Sequence, residues 1–308
     1  MRIAITGAGG QLGKELIEVL GRGTDEVLAL ESRDLDVTDG EEVVKTLVAA
    51  RPDVVIHAAA FTNVDACEAE PEKAYLVNAL GARNVAVACA QVGVAHGQVG
   101  AAMVYVSSDF VFDGEKREPY REFDEARPLS VYGKSKLAGE KYVASLLPRH
   151  YIIRTSWLYG RHGRNFVKTV LELAAHQPEL RIVSDQVGSP TYARDLAEVI
   201  ARLIRTPFCG VYQVSNSGSC YWFEFADAIL RLAGLADDVP VRAITSDELG
   251  RPARRPAFSV MSHLALEATL GVRMRSWQEA LAEYLASSSP EGTSGKRPNE
   301  ERTGADQR

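Results

Sequence analysis

Residues 2–20 read RIAITGAGGQLGKELIEVL, and the fold turns on how that stretch is read. Arg2 to Thr6 is a compact apolar run of the kind a fully buried parallel strand shows. It enters Gly7-Ala8-Gly9-Gly10-Gln11-Leu12-Gly13, and Lys14 to Leu20 continue as a helix. Strand, glycine turn and helix in that order suit a dinucleotide pyrophosphate, which needs closely approaching backbone and a helix amino terminus aimed at it. Gly7, Gly10 and Gly13 are spaced G-x-x-G-x-x-G rather than the tighter G-x-G-x-x-G. A glycine cluster alone marks a flexible turn; this context makes it a candidate cofactor cradle.

The alternation continues downstream. Val27 to Leu30 reads as a second strand, followed by Glu31-Ser32-Arg33-Asp34-Leu35-Asp36-Val37. A carboxylate at this point holds an adenosine ribose, whereas an arginine accommodates a 2′-phosphate. Glu31 and Arg33 therefore pull in opposite directions; Arg33 inclines the expectation to NADPH, with NADH as the alternative. A helix over Asp39 to Ala50 leads to a third strand, Asp53 to His57, and then to Ala58-Ala59-Ala60-Phe61-Thr62. Three small side chains at a strand's carboxyl end leave room for a ring or sugar against backbone. His57 reads as buried and structural. Asn78, on the inward face of a helix expected over Pro71 to Val92, reads as a positioning residue at most. Residues 93–100 read as a surface loop.

Residues 103–114 read MVYVSSDFVFDG, and residues 128–141 read PLSVYGKSKLAGEK. Met103 to Val106 is another buried strand, so Ser107, Ser108 and Asp109 emerge at its carboxyl end, the edge where open α/β sheets bind ligands. These three are candidate substrate contacts. Tyr132 and Lys136 lie four apart and share a face if the segment is helical. A free phenol, with a pKa of ~10, is a poor acid–base partner at neutral pH, and a nearby ammonium stabilises its phenolate. Ser108 is the preferred hydroxyl for a substrate oxygen, with Ser107 the weaker candidate. An isolated Tyr-x-x-x-Lys is most often a solvated helix face; the dinucleotide signature before it changes that reading.

The 308 residues carry 25% charged and 46% hydrophobic side chains, ordinary values for a globular protein. A formal charge of −6 argues against nucleic acid or an anionic membrane as partner. Cys67, Cys89, Cys209 and Cys220 show no C-x-x-C spacing and fit buried thiols in a reducing compartment better than disulfides or zinc ligands. No signal peptide or spanning segment is evident, so a cytoplasmic location is expected. The six histidines show no metal-ligand spacing, and no metal is expected.

In order, GAGGQLG, HAAAFTNVD, SSDFVFDG, YGKSKLAGE and RTSWLYG resemble the extended short-chain dehydrogenase/reductases, and within them the dTDP-4-dehydrorhamnose reductase group. The resemblance runs from residue 2 to about residue 285. It implies an α/β fold, a Rossmann-like doubly wound parallel sheet with a smaller C-terminal substrate-binding lobe. The expected division is 1–158, with 182–205 contributing, for the dinucleotide domain, 159–286 for the lobe, and 287–308 as a disordered tail. It implies NAD(P)H-dependent reduction of the C4 carbonyl of a nucleotide-linked 4-keto-6-deoxysugar. Tyr132 would be proton donor, Lys136 would bind the nicotinamide ribose and lower the Tyr132 pKa, and Ser108 would hydrogen-bond the carbonyl. Gln11, Leu12, Asp36, Val37, Ala58, Ala59, Ala60 and Thr62 would line the cofactor.

Further along, Ile152 to Trp157 reads as a buried strand, and the resemblance makes Trp157 a sugar platform. Gln186 lies in a loop resembling the nucleotide side of the family site, and Arg255 in one resembling its diphosphate cover; arginine's planar fork suits diphosphate. Phe110 and Phe258 depart from the group's usual residues, and Arg194 stands where some relatives carry an acidic magnesium ligand. A nucleotide sugar is the expected partner, with a homodimer as the expected assembly. Two alternatives stay open: a nucleotide-sugar epimerase or dehydratase, and a non-catalytic subunit resembling the regulatory subunit of methionine adenosyltransferase.

Overall fold

The structure, a computed structural model, describes residues 1–94 and 100–288. Residues 95–99 of the expected loop and 289–308 of the expected tail lie outside the described residues.

The first half of the chain alternates strand and helix: β1 (Arg2–Thr6), α1 (Gln11–Leu20), β2 (Glu26–Leu30), α2 (Gly40–Ala50) and β3 (Val54–His57). The helix expected over Pro71 to Val92 is in fact composite. A short α3 (Val64–Ala69) precedes α4 (Pro71–Tyr75), a π-helical turn (Leu76–Gly81) and α5 (Ala82–Gln91). Then come β4 (Ala102–Ser108), α6 (Val131–Leu146) and β5 (His150–Thr155). The second half holds β6 (Leu158–Tyr159), α7 (Phe166–Ala174), β7 (Leu180–Val183), β8 (Val187–Gly188), β9 (Thr191–Tyr192), α8 (Ala193–Leu203) and β10 (Gly210–Gln213). It closes with β11 (Cys220–Tyr221), α9 (Trp222–Leu232), β12 (Val241–Ile244), α10 (Ser246–Leu249), α11 (Leu264–Leu270) and α12 (Trp277–Ser288).

Six parallel strands form the main sheet in the order β10-β5-β4-β3-β1-β2. Strands β1, β3 and β4 are apolar almost throughout because helices cover both faces. Leu12, Leu16 and Leu20 of α1 pack with Leu196, Ile200 and Leu203 of α8 on one face. Val43 and Leu47 of α2, Val85 and Cys89 of α5, and Val143 of α6 cover the other. The result is a Rossmann-like doubly wound sheet. Strand order reverses between β1 and β3, and such a switch point opens a crevice at the strands' carboxyl ends.

Strand β10 lies beyond the 182–205 segment expected to return to this sheet, and Tyr212, Val214, Leu266 and Met274 also join its core. Four-residue β10 is too short to stand out locally; its place is set by pairing with β5. A separate core of Tyr159, Val170, Phe225, Ile229, Trp277 and Tyr284 builds the smaller lobe. Among the described residues, no helix is long and apolar enough to cross a membrane.

Candidate active site

The cofactor cradle is set at the switch point. Gly7 has φ +72°, and a Cβ there would stand 2.5 Å from the Ala59 nitrogen, so only glycine lets the turn after β1 lie against the alanines after β3. The Ala58 N–H donates to Thr6 O at 3.0 Å and holds the two strand ends together. Gly10 caps α1 in an extended conformation, and the first helical bond runs from Lys14 N–H to Gly10 O at 3.1 Å. The N–H groups of Gln11, Leu12 and Gly13 therefore remain at the helix terminus for an anion. This cradle fits a dinucleotide pyrophosphate.

Side chains qualify the expected cofactor set. Leu12 and Val37 are buried in the two cores flanking the sheet, so only their backbones can face a ligand. The Gln11 Oε1 accepts from Asn165 Nδ2 at 3.0 Å, tying the cradle to the lobe. Asp36 is exposed and accepts from the Thr38 N–H at 2.9 Å. Glu31 lies over the glycine turn, its Cδ 3.2 Å from where a Gly9 Cβ would be, and Arg33 reaches Glu31 at 3.4 Å while 79% exposed. Ala58, Ala59 and Ala60 are partly buried beside the cradle, and Thr62 is exposed beyond them.

Ser130 caps α6 by accepting from the Gly133 N–H at 3.2 Å, which places Tyr132 in the first helical turn and Lys136 one turn on. The Ser108 hydroxyl donates to Asp109 Oδ1 at 3.0 Å, accepts from the Phe110 N–H at 3.2 Å, and lies near the Tyr132 phenol. Phe110 packs edge-on against the Tyr132 ring at 5.6 Å. The end of β4 thus carries Ser108, and the first turns of α6 carry Tyr132 and Lys136. Their electrostatics differ from the expectation that Lys136 lowers the phenol. Burial pushes the Tyr132 phenol above its ordinary value, the Ser108 hydrogen bond opposes this, and the Asp109 charge adds to it. Lys136 is only 1% exposed, and burial pulls its ammonium down to about 7 against the favourable Glu140 charge. Desolvation is the largest influence on both groups.

Ser107 is directed elsewhere, which corrects its candidacy for substrate. Its hydroxyl donates to Glu140 Oε1 at 2.5 Å, and Arg154 grips the same carboxylate at 3.0 and 2.7 Å. This buried network locks β4, α6 and β5 together beneath the site. Asp109 is buried, its Oδ1 accepts from Ser108 Oγ at 3.0 Å, and burial pushes its carboxyl up to about 6 against hydrogen bonds from Ser259 and Ser108.

Asn78 does more than sequence foretold. From the π-helical turn its Oδ1 accepts from the Phe61 N–H at 2.8 Å, while Nδ2 donates to Phe61 O at 3.1 Å and Ser135 Oγ at 3.0 Å. It fixes the end of the alanine segment to α6. His57 is fully buried, bonded to Thr6 Oγ1 at 2.7 Å, and burial holds its imidazole neutral, down to about 3.

On the lobe side, Trp157 takes a left-handed backbone (φ +46°) just past β5. Its indole stacks on Trp222 at 3.5 Å and 9°, so one face is already covered; the expected open platform is a tryptophan pair. Gln186 is buried and donates to Ser246 Oγ at 2.8 Å. Arg255 donates to Asp65 Oδ2 at 2.9 Å, with Arg251 at 3.6 Å from the same atom. Its guanidinium joins the lobe to α3 rather than standing free for a diphosphate. A groove of about 620 Å³ beside this side is lined by Lys116, Arg117, Asp185, Val187, Tyr221 and Phe258, among others. Among the described residues, no group of three His, Cys, Asp or Glu is placed to hold a metal ion.

The chain is 46% identical over 284 residues to the spore coat polysaccharide biosynthesis protein SpsK of Bacillus subtilis, covering 92% of this chain and 96% of that protein. It is 40% identical to dTDP-4-dehydrorhamnose reductase of Aggregatibacter actinomycetemcomitans, covering 92% and 98%. The crystal structure of dTDP-4-dehydrorhamnose reductase from Bacillus anthracis in complex with NADP superposes with a TM-score of 0.88 at 43% identity, covering 93% and 99%. The family model described as RmlD substrate binding domain matches residues 1–289, and the chain belongs to that family.

Proposed function

We propose that this protein is an NADPH-dependent dTDP-4-dehydrorhamnose reductase, reducing the C4 carbonyl of a nucleotide-linked 4-keto-6-deoxysugar to give dTDP-L-rhamnose. One observation carries the reading: Ser108 at the carboxyl end of β4 and Tyr132 and Lys136 in the first turns of α6 stand at the sheet edge that also holds a glycine cradle shaped for a dinucleotide. Two relatives named for this reaction, one of them in complex with NADP, support the substrate and the cofactor.

When bound, the reduced nicotinamide supplies the hydride. Gln11, Leu12 and Gly13 would hold the pyrophosphate through their N–H groups, and the exposed Arg33 would meet a 2′-phosphate; NADH would remain usable because Glu31 suits a free ribose. The phenol, pushed above its ordinary value by desolvation, keeps its proton at neutral pH, as a proton donor must. Ser108 orients the carbonyl oxygen, Tyr132 delivers its proton to that oxygen, and the Lys136 ammonium stabilises the phenolate left behind. Asp109, Gln186 and the Trp157–Trp222 pair would contact the sugar. The protein works in the cytoplasm as a homodimer, with free thiols at all four cysteines; sedimentation in solution tests the assembly.

The test is oxidation of NADPH and NADH with dTDP-4-dehydro-L-rhamnose, with product analysis. Stoichiometric oxidation is expected. Product formed without net oxidation would place the chain among epimerases, and no turnover together with co-purification of a synthetase would place it among regulatory subunits.

A further inference from the structure

Lys136 is buried in the first half of α6, yet among the described residues its ammonium makes no hydrogen bond or ion pair. What lies nearest is a ring. The Nζ sits 4.2 Å from the centroid of Tyr105, a fully buried side chain of β4. That ring is itself pinned. Its hydroxyl shares its one proton between Asn78 O at 2.9 Å and Lys136 O at 3.2 Å, and its other neighbour is His57, stacked at 5.9 Å and 16°. The π-helical turn presents the Asn78 carbonyl to it. Gly139 makes the room: a Cβ there would stand 2.3 Å from the Tyr105 hydroxyl and 2.5 Å from Asn78 O. A glycine in the middle of a sixteen-residue helix is otherwise a local liability of about 1 kcal/mol.

We infer that the face of Tyr105 is the seat that holds the Lys136 ammonium charged and aimed at the nicotinamide ribose, which makes Tyr105 a positioning residue of the reaction. The negative face of an aromatic ring attracts a cation, and most strongly where water is excluded. The other charged or titratable groups around Lys136 do not supply this. Glu140 lies one turn on but is gripped by Arg154 and Ser107. His57 is neutral, and Tyr132, Asp109 and Cys67 gather at the helix start around the phenol. Tyr105 fixes the place of the charge, while Glu140 adds a directionless pull toward the charged form.

This inference rests on the proposed role of Lys136, and its test separates the two. Tyr105→Phe removes the hydroxyl and keeps the face; placing 3,4,5-trifluorophenylalanine and then pentafluorophenylalanine at 105 withdraws the face's charge at constant shape. The Lys136 titration is followed by 13Cε-lysine NMR, assigned by its loss in Lys136→Met, beside the pH profile of NADPH oxidation and a thermal melt. The sign is fixed: a seat that favours the ammonium raises its titration point, so weakening the seat lowers it. The lysine titration and the alkaline limb of the rate should move down together by about 0.5–1 pH unit along the fluorinated series, relative to Tyr105→Phe. A Lys136 titration that stays put from phenylalanine to the perfluorinated ring overturns the seat, whatever the rates do. A titration that moves in a protein with no NADPH turnover leaves the seat standing and overturns the reductase reading instead.

Discussion

Replacing Arg154 by Met tests what holds the site together. The Arg154 and Glu140 side chains are 7% and 5% exposed, and the carboxylate receives two bonds from the guanidinium and one from Ser107. Arg154→Met keeps apolar bulk over Phe112 but leaves Glu140 with the Ser107 hydroxyl alone of these three bonds. Removing one partner of a buried pair costs about 3–5 kcal/mol, because the other charge is stranded. At about 2–4 °C per kcal/mol this is a fall in Tm of roughly 6–20 °C, the lower part of the range suiting a chain this long. The double variant Glu140→Leu/Arg154→Met removes the stranded charge and should regain all but about 1 kcal/mol, the remainder being the Ser107 hydroxyl left without its acceptor. Thermal and urea melts followed by circular dichroism read both variants. An Arg154→Met protein within about 1 kcal/mol of the parent, or a double variant no better than the single, would refute the network's role.

Tyr132→Phe should retain NADPH binding, read by fluorescence titration, and lose turnover by about 10²–10⁴-fold, since only the transferable proton is gone; Lys136→Ala should weaken both. Asp109, whose carboxyl is pushed up to about 6, holds its proton more tightly folded than unfolded, so its stability contribution is intact below about pH 4 and lost as pH rises through about 6. Asp109→Asn should therefore gain on the parent by up to about 3 kcal/mol between pH 4 and pH 7.5 in urea melts, and a constant difference would contradict the shift. Arg33→Ala should raise KM for NADPH about 10-fold and leave KM for NADH nearly unchanged, because an exposed guanidinium acts on the 2′-phosphate alone.

The parts of the fold written in contiguous residues were legible. Arg2 to Leu20 announced strand, turn and helix, and the Tyr132–Lys136 spacing announced a shared helix face, because periodicity and glycine are local signals. What lay hidden depends on partners far along the chain. Ser107 and Ser108 are adjacent, and the period of a strand says that they diverge without saying which one meets Tyr132; Glu140 and Arg154 decide it. Arg255 carried the right chemistry for a diphosphate, but Asp65, 190 residues away, claims it. The Trp157 platform acquired a second indole from α9, and the π-helical turn that presents Asn78 has no residue signature distinct from an ordinary helix. Two local signals do mark these buried partners in the sequence: Gly139 inside a helix, and a charged Arg154 inside an apolar strand.

The central claim, a hydride delivered to C4 with Tyr132 supplying the proton, is tested most directly with NADPH deuterated at nicotinamide C4. Incubation with dTDP-4-dehydro-L-rhamnose should consume one NADPH per sugar reduced and, with the deuterium on the transferred face, place one deuterium at C4 of the product. Product unlabelled at C4 with deuterium on either face of the nicotinamide, or formed without loss of NADPH, would contradict it.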